Sequence, residues 1–290
     1  MTKVAIKNLV SKAIDLHVHI GPEIIPRKFT SVSDLIKAEK GKIAGMALKN
    51  HFYPTQPLIS ATSNSTELKL FGGVVLNNFQ GGLNPEAIYA NSILSNFPTI
   101  VWFPTVNAEQ FLAGSEFEIP SEWVQCENFI ARKAKGIKPV KIDSKIDNVL
   151  DEIKKNNAIL ATGHISWQEA KKVVTQAAGK GIGRIIVTHP IYQQINFPIK
   201  EQRKLAKLGA KMEHCYSMYS IDKIPISKIV AQIRAVGAEG CIISSDVGQT
   251  FSPSPSEALT LFAKLLLDEG VTGKELEVMM VENTSNLVKR

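Results

Sequence analysis

AIDLHVHI, residues 13–20, decides how the rest of the chain is read. It opens as apolar sequence and turns polar only at its end, as strands buried on both faces do. In an extended chain His17 and His19 fall on one face, about 7 Å apart along the backbone, while Val18 points the other way into packing. Two imidazoles on one face can converge on one cation. Imidazole with carboxylate suits zinc, and also iron or manganese. Asp15 shares the parity of the two histidines, so it is placed to orient one of them as an outer acceptor.

Seven further runs have the same character: AGMALKNHF (44–52), LKLFGGVVLN (68–77), TIVWFPTV (99–106), AILATGHI (158–165), RIIVTHPI (184–191), GAKMEHCYSMY (209–219) and GCIISSDV (240–247). Helix-like stretches lie between them. Asn84-Pro85 reads as an N-cap followed by proline at the first helical position. Ser166 with Glu169, and Thr272 with Glu275, fit capping boxes. Strand–helix–strand repetition implies parallel pairing with right-handed crossovers. Eight such units predict a closed (β/α)8 TIM barrel as a single domain over residues 1–290, close to the roughly 250 residues typical of that architecture. An open doubly wound sheet is the alternative, but no G-x-G-x-x-G follows the first strand. The long stretch 107–157, between the fourth and fifth runs, reads as an insertion on the barrel. It contains a helix-like piece (SEWVQCENFIARKAK) and a short extended piece (GIKPVKID).

The net charge is +7, from 34 basic and 27 acidic side chains. The densest basic cluster is Arg132, Lys133, Lys135, Lys138, Lys141 and Lys145. No aromatic residues interleave with it, so it reads as a solvated helix end and loop, and no nucleic-acid partner is expected. Cys126, Cys215 and Cys241 show no C-x-x-C spacing, which argues against a zinc ribbon and fits a reducing compartment. The opening MTKVAIKNLVSKAIDL has no uninterrupted apolar core of a signal peptide. The apolar run LTLFAKLLL is broken by Lys264, and no segment approaches the ~20 apolar residues that span a bilayer. These features predict a cytoplasmic protein with a small-molecule substrate and no membrane partner. A homo-oligomer stays open.

The polar residues gather at the carboxyl ends of the runs. His17 and His19 end the first, Lys49 and His51 the second, His164 the fifth and His189 the sixth. His214 sits late in the seventh, and Asp246 ends the eighth. Barrel enzymes build their active sites at that end. A lone histidine at a strand end is more often a core residue with its hydrogen bonds met. All six histidines of the chain in such positions, with an aspartate on the last strand, reverse that weighting.

DLHVHIGP, ATGHIS, VTHP and SSD resemble the metal-binding strand ends of the amidohydrolase superfamily, a set of distorted (β/α)8 barrels. The resemblance runs over all eight strands, with HxH, His, His and Asp on strands one, five, six and eight. LKNHFYPT, GGVVLNNFQGGLNP and MEHCY resemble an uncharacterised branch of it. The resemblance implies that His17, His19 and Asp246 hold the more buried metal. His164 and His189 then bind a second one. In a one-metal site His164 ligates the single ion, and His189 polarises water or substrate. Asp246 also takes a proton from the attacking water and passes it to the leaving group. Two-metal members end the fourth strand with a carboxylated lysine or a glutamate. TIVWFPTV offers neither, and Lys49 stands on the second strand instead. One or two divalent ions per chain, zinc foremost with manganese or iron as alternatives, are therefore expected. Lys49 is a metal or catalytic residue as a carbamate or neutral amine, or a substrate-binding ammonium.

The expected function is a hydrolase that directs metal-activated water at an ester, lactone, amide or phosphoester bond. A metal-dependent decarboxylase of the same superfamily, or a metal-binding protein without turnover, are the alternatives. The substrate is expected to be anionic. Arg27 closely follows the first strand, and the amides at Gly81 and Gly82 open a helix that could hold an anion. His51 and His214 are candidate substrate contacts, and Tyr216 and Tyr219 candidate walls.

Overall fold

The computed structural model describes residues 1–23, 25–62, 67–114, 139–142 and 145–290. Every expected strand is present, and each is shorter than its apolar run: β1 (Ile14–His19), β2 (Gly45–Lys49), β3 (Lys69–Phe71), β4 (Gly73–Val75), β5 (Ile100–Trp102), β6 (Ile159–Ala161), β7 (Ile185–Val187), β8 (Lys211–Cys215) and β9 (Cys241–Ser244). All neighbouring pairs are parallel, in the orders β1-β2-β3 and β4 through β9.

β3 and β4 are the two halves of the expected third strand. The ladder breaks at Gly72, where Gln56 fills the space a side chain would need. Thr55 bridges the break: its hydroxyl donates to the Leu48 carbonyl at 2.6 Å and accepts from the Gly73 amide at 2.8 Å. On the far side, the His19 amide donates to the Val247 carbonyl and the Asp246 amide to the His17 carbonyl, each at 2.8 Å. The chain leaving β9 is thus hydrogen-bonded to β1, and the parallel strands come round to their start. The fold is the α/β barrel expected from the alternation.

Side chains sort to the two sides of this wall. Leu16, Ala47, Val75, Trp102, Ala161 and Ile242 form the inner cluster, joined by Leu287 and Val288 of the last helix. Val18, Met46, Leu48, Val101, Met212 and Ile243 face the helices. Burying such a side chain contributes roughly 1.5–3 kcal/mol. A one-residue bulge between Asp15 and Val18 breaks the alternation in β1. Ile14 and Leu16 belong to the inner cluster, and past the bulge His17 and His19 take over that face.

The expected helix starts also form. Asn84 caps Pro85–Ser92 by accepting from the Glu86 amide. Both capping boxes close, Ser166 with Glu169 and Thr272 with Glu275. The seventh run stops at Cys215, and Tyr216–Ser220 turns into a helix. Tyr216 is buried there with its ring 6.1 Å from that of Phe262, a packing role. Within 107–157, helices Glu109–Gly114 and Ile146–Lys155 are described. The helix expected at 121–135 lies outside the described residues, as do Cys126 and most of the basic cluster. The extended piece is described only at 139–142, which form no strand.

Candidate functional site

Strands β2, β6, β7 and β9 end before His51, His164, His189 and Asp246, which stand beyond the ladder. His189 and Asp246 adopt positive φ, 24° and 53°. Such conformations cost on the order of 1–3 kcal/mol for non-glycine residues and persist where the surroundings hold them. Gly163, at φ 61°, turns the chain directly before His164. A Cβ there would run into the carbonyl oxygens of Phe103 and Pro104, so only glycine brings the chain this close. The following His164 amide donates to the Pro104 carbonyl at 2.9 Å.

Asp246 is the hub. Its Oδ1 lies 3.0 Å from Nε2 of both His17 and His19. Its Oδ2 accepts from the Ser217 hydroxyl at 2.7 Å. The other His17 nitrogen, Nδ1, meets Glu213 Oε2 at 3.2 Å. The His189 ring stacks on His17 at 6.1 Å and lies tilted against His164 at 5.0 Å. The His51 ring is 4.8 Å from His19 and 6.3 Å from His164. Lys49 Nζ lies 2.9 Å from His17 Nε2 and 5.5 Å from the centre of the Trp102 ring.

Burial sets the charge states. It pulls His19, His51 and His164 well below the ordinary histidine range and brings His189 down to about 4. These rings are neutral near pH 7, as metal ligands must be. Burial alone would raise Asp246. His17, the His19 hydrogen bond and Lys49 outweigh it and hold the carboxyl well below its usual range. Burial also pulls the Lys49 ammonium down, against the opposing pull of Asp246 and Glu213.

Of the residues singled out in the sequence, His17, His19, Lys49, His51, His164, His189 and Asp246 meet in this cluster. Arg27 joins its edge, pairing with Glu23. Four others go elsewhere. His214 alternates with Glu213 along β8, so the residue beside it faces His17 while His214 turns outward and is fully buried. Gly81 and Gly82 do not offer free amides: these donate to the Asn78 and Asn77 carbonyls, both at 3.0 Å, within the turn after β4. Asp15 does not reach an imidazole, because the β1 bulge puts it out of phase with His17. Its Oδ1 instead accepts the His17 amide at 3.1 Å and the Ser245 amide at 3.0 Å.

Sequence reasoning missed Ser217, which donates to Asp246, and four further residues. Glu213 was passed over beside a histidine in the same strand, although an acidic residue within an apolar run was the available signal. Glu23 accepts the His51 amide at 3.0 Å. Thr105 meets His51 Nδ1 at 2.8 Å, and Asn77 donates to Thr105 Oγ1 at 3.0 Å. Neither Thr105 nor Asn77 carries a local sequence signature.

The residues fit a divalent metal. Ligand atoms of His17, His19 and Asp246 all lie within 4.8 Å of one another. Nδ1 of His19, His164 and His189 is buried with no hydrogen-bond partner among the described residues. Glu213 gives His17 the outer carboxylate that metal-ligating histidines characteristically have.

Comparison with known proteins agrees with this architecture. An amidohydrolase from Pseudomonas aeruginosa superposes with a TM-score of 0.63 at 9% identity, covering 99% of this chain and 98% of its own. A TatD homologue from Escherichia coli K12 gives 0.56 at 11% identity, covering 97% and 99%. A 2,6-dihydroxybenzoate decarboxylase from Rhizobium gives 0.54 at 10% identity, covering 96% and 98%. At these identities the likeness is one of fold. No curated protein matches the chain. A family model, described as a family of unknown function (DUF6282), matches residues 12–213, well over half of the sequence. The chain therefore belongs to the DUF6282 family, and its fold is that of the amidohydrolase barrels.

Proposed function

We propose that the chain is a metal-dependent hydrolase acting on a small-molecule substrate. The observation that carries the reading is the placing of two imidazole Nε2 atoms 3.0 Å from one carboxylate oxygen. His17, His19 and Asp246 would hold a first ion, most simply zinc, with manganese or iron as alternatives. His164 and His189 would complete it or hold a second. A divalent metal there supplies Lewis acidity, which lowers the pKa of water and polarises an electrophile. Asp246, kept ionised, accepts a proton at a carboxylate oxygen and delivers it to the leaving group. Ser217 fixes the Oδ2 side of that carboxylate, which sets the direction of transfer. His189, uncharged near pH 7, presents a ring nitrogen to a reacting oxygen. Lys49 acts as a neutral amine or as a carbamate beside His17.

A decarboxylase using the same residues is the second reading, supported by the Rhizobium decarboxylase among the fold neighbours. Release of carbon dioxide without uptake of oxygen from water marks it.

Elemental analysis of protein purified without chelator is expected to find about one or two transition-metal ions per chain. Less than about a tenth of an equivalent, even after reconstitution with zinc, manganese or iron, refutes the reading. In a broad hydrolase screen, Asp246→Asn is expected to lower turnover by about 10²–10⁴ with the fold kept. A variant retaining more than about half of wild-type turnover removes the proton-transfer role.

A further inference from the structure

We propose that Arg27 and Glu23 form a carboxylate-binding subsite beside the histidine cluster, in which Arg27 Nη1 receives the carboxylate of a singly charged organic acid. The inference deepens the enzyme reading by naming the substrate class, and its test reads binding without turnover.

The loop after β1 is pinned before any ligand arrives. Arg27 bridges antiparallel to Gln249, and the Lys28 amide donates to the Gly248 carbonyl at 2.7 Å. The Gly21 amide donates to the Phe29 carbonyl at 2.8 Å, closing the loop on itself. The segment therefore stands between the carboxyl ends of the first and last strands, against His19.

Glu23 aims the guanidinium. One carboxylate oxygen pairs with Arg27 Nε, and the other accepts the His51 amide at 3.0 Å. Its ligand atom lies within 4.8 Å of ring nitrogens of both His19 and His51. The Arg27 side chain is 1% exposed, yet its Nη1 is buried with no hydrogen-bond partner among the described residues. A guanidinium carries five N–H donors, and a buried one left unmatched is unfavourable unless a ligand completes it.

The charge balance selects the ligand. Glu23 offsets most of the Arg27 charge, and Asp246 adds a further carboxyl group beside His19. A phosphate dianion would meet repulsion from these groups. A carboxylate brings one negative charge and a planar pair of oxygens that matches the guanidinium fork. A neutral amide presents a weaker acceptor, since charge-assisted hydrogen bonds are roughly twice as strong as neutral ones.

The test uses the full chain and three probes of one shape: benzoate, benzamide and phenyl phosphate. Binding is followed by calorimetry on metal-stripped protein, so that no metal ion anchors the anion, and repeated with zinc. Benzoate is expected to bind about tenfold tighter than either other probe. Arg27→Gln alone would strand the buried Glu23 carboxylate, so Arg27→Gln is combined with Glu23→Gln, and the benzoate preference is expected to vanish. Arg27→Lys, which keeps the charge and loses the fork, is expected to weaken benzoate binding while still favouring it over benzamide. That variant decides the matter if the double variant fails to fold. Equal binding of benzoate and benzamide by the wild type overturns the proposal, and so does an unchanged preference in the variants. Tighter binding of phenyl phosphate overturns the choice of carboxylate. A protein that shows the benzoate preference but takes up no metal supports the subsite and refutes the hydrolase reading.

Discussion

Glu213→Gln tests whether the outer carboxylate sets up the metal site. Glu213 Oε2 lies 3.2 Å from His17 Nδ1, and both side chains are at most 1% exposed. A histidine that turns Nε2 toward a metal carries its proton on Nδ1, and Glu213 is placed to accept that hydrogen bond and fix the tautomer. Losing such a partner typically costs about 10–100-fold in metal affinity. A separation of 3.2 Å is at the long end of the N–H···O range, and a glutamine carbonyl still accepts from Nδ1. The expected loss for Glu213→Gln is therefore the lower value, about tenfold, or roughly 1.4 kcal/mol. Glu213→Leu removes the acceptor as well, so its loss should approach about 100-fold. The assay is competition for zinc against a chromophoric chelator at pH 7, with near-ultraviolet circular dichroism to confirm the fold. If both variants bind zinc within about twofold of the wild type, His17 does not depend on Glu213 and the reasoning fails.

Burial raises Asp15 to about 7, so its folded-state pKa lies above the unfolded value. Its contribution to stability is full below the unfolded pKa, near 3.9, and is lost as pH rises through about 7. Urea unfolding of metal-free protein should show that loss, on the order of 4 kcal/mol, and Asp15→Asn should flatten it. The same pH slope in both proteins would contradict the assignment. Gly163→Ala, at positive φ and against two carbonyl oxygens, should destabilise by about 2–4 kcal/mol in the same assay, and a loss below about 0.5 would show that the turn relaxes freely. Lys49→Ala should lower metal content, and short-chain carboxylic acids should restore it with the activity. Full metal content without rescue shows that Lys49 bridges no metal.

The barrel was legible because each strand buried on both faces leaves a continuous apolar run, and each helix start carries its own cap. The histidines were legible because HxH, VTHP and SSD place them at strand ends. What escaped was tertiary. Glu213 belongs to His17 across 196 positions of sequence, and no local pattern announces such a pair. His214 looked like a site residue because the alternation of β8 was not anchored to a known inward neighbour. Asp15 was placed by strict alternation, which the bulge in β1 breaks. The amides of Gly81 and Gly82 were read as open, whereas a turn uses its own donors first.

The bulge in β1 also couples two tasks that a regular strand would keep apart. Leu16 belongs to the apolar floor, and His17, the next residue, belongs to the polar layer above it. The extra residue acts as a phase correction: it lets a strand whose lower half packs on even positions present chemistry on odd ones. Deleting Leu16 would restore the regular ladder with His17 opposite Ala47 and Val18 still opposite Leu48, so the imidazoles would keep their face and the apolar floor would lose its side chain. Deleting His17 instead would keep Leu16 on the floor and take one imidazole from the centre, so a strand one residue shorter cannot serve both tasks. Variation in this strand is for that reason expected to spare its length more strictly than its apolar composition.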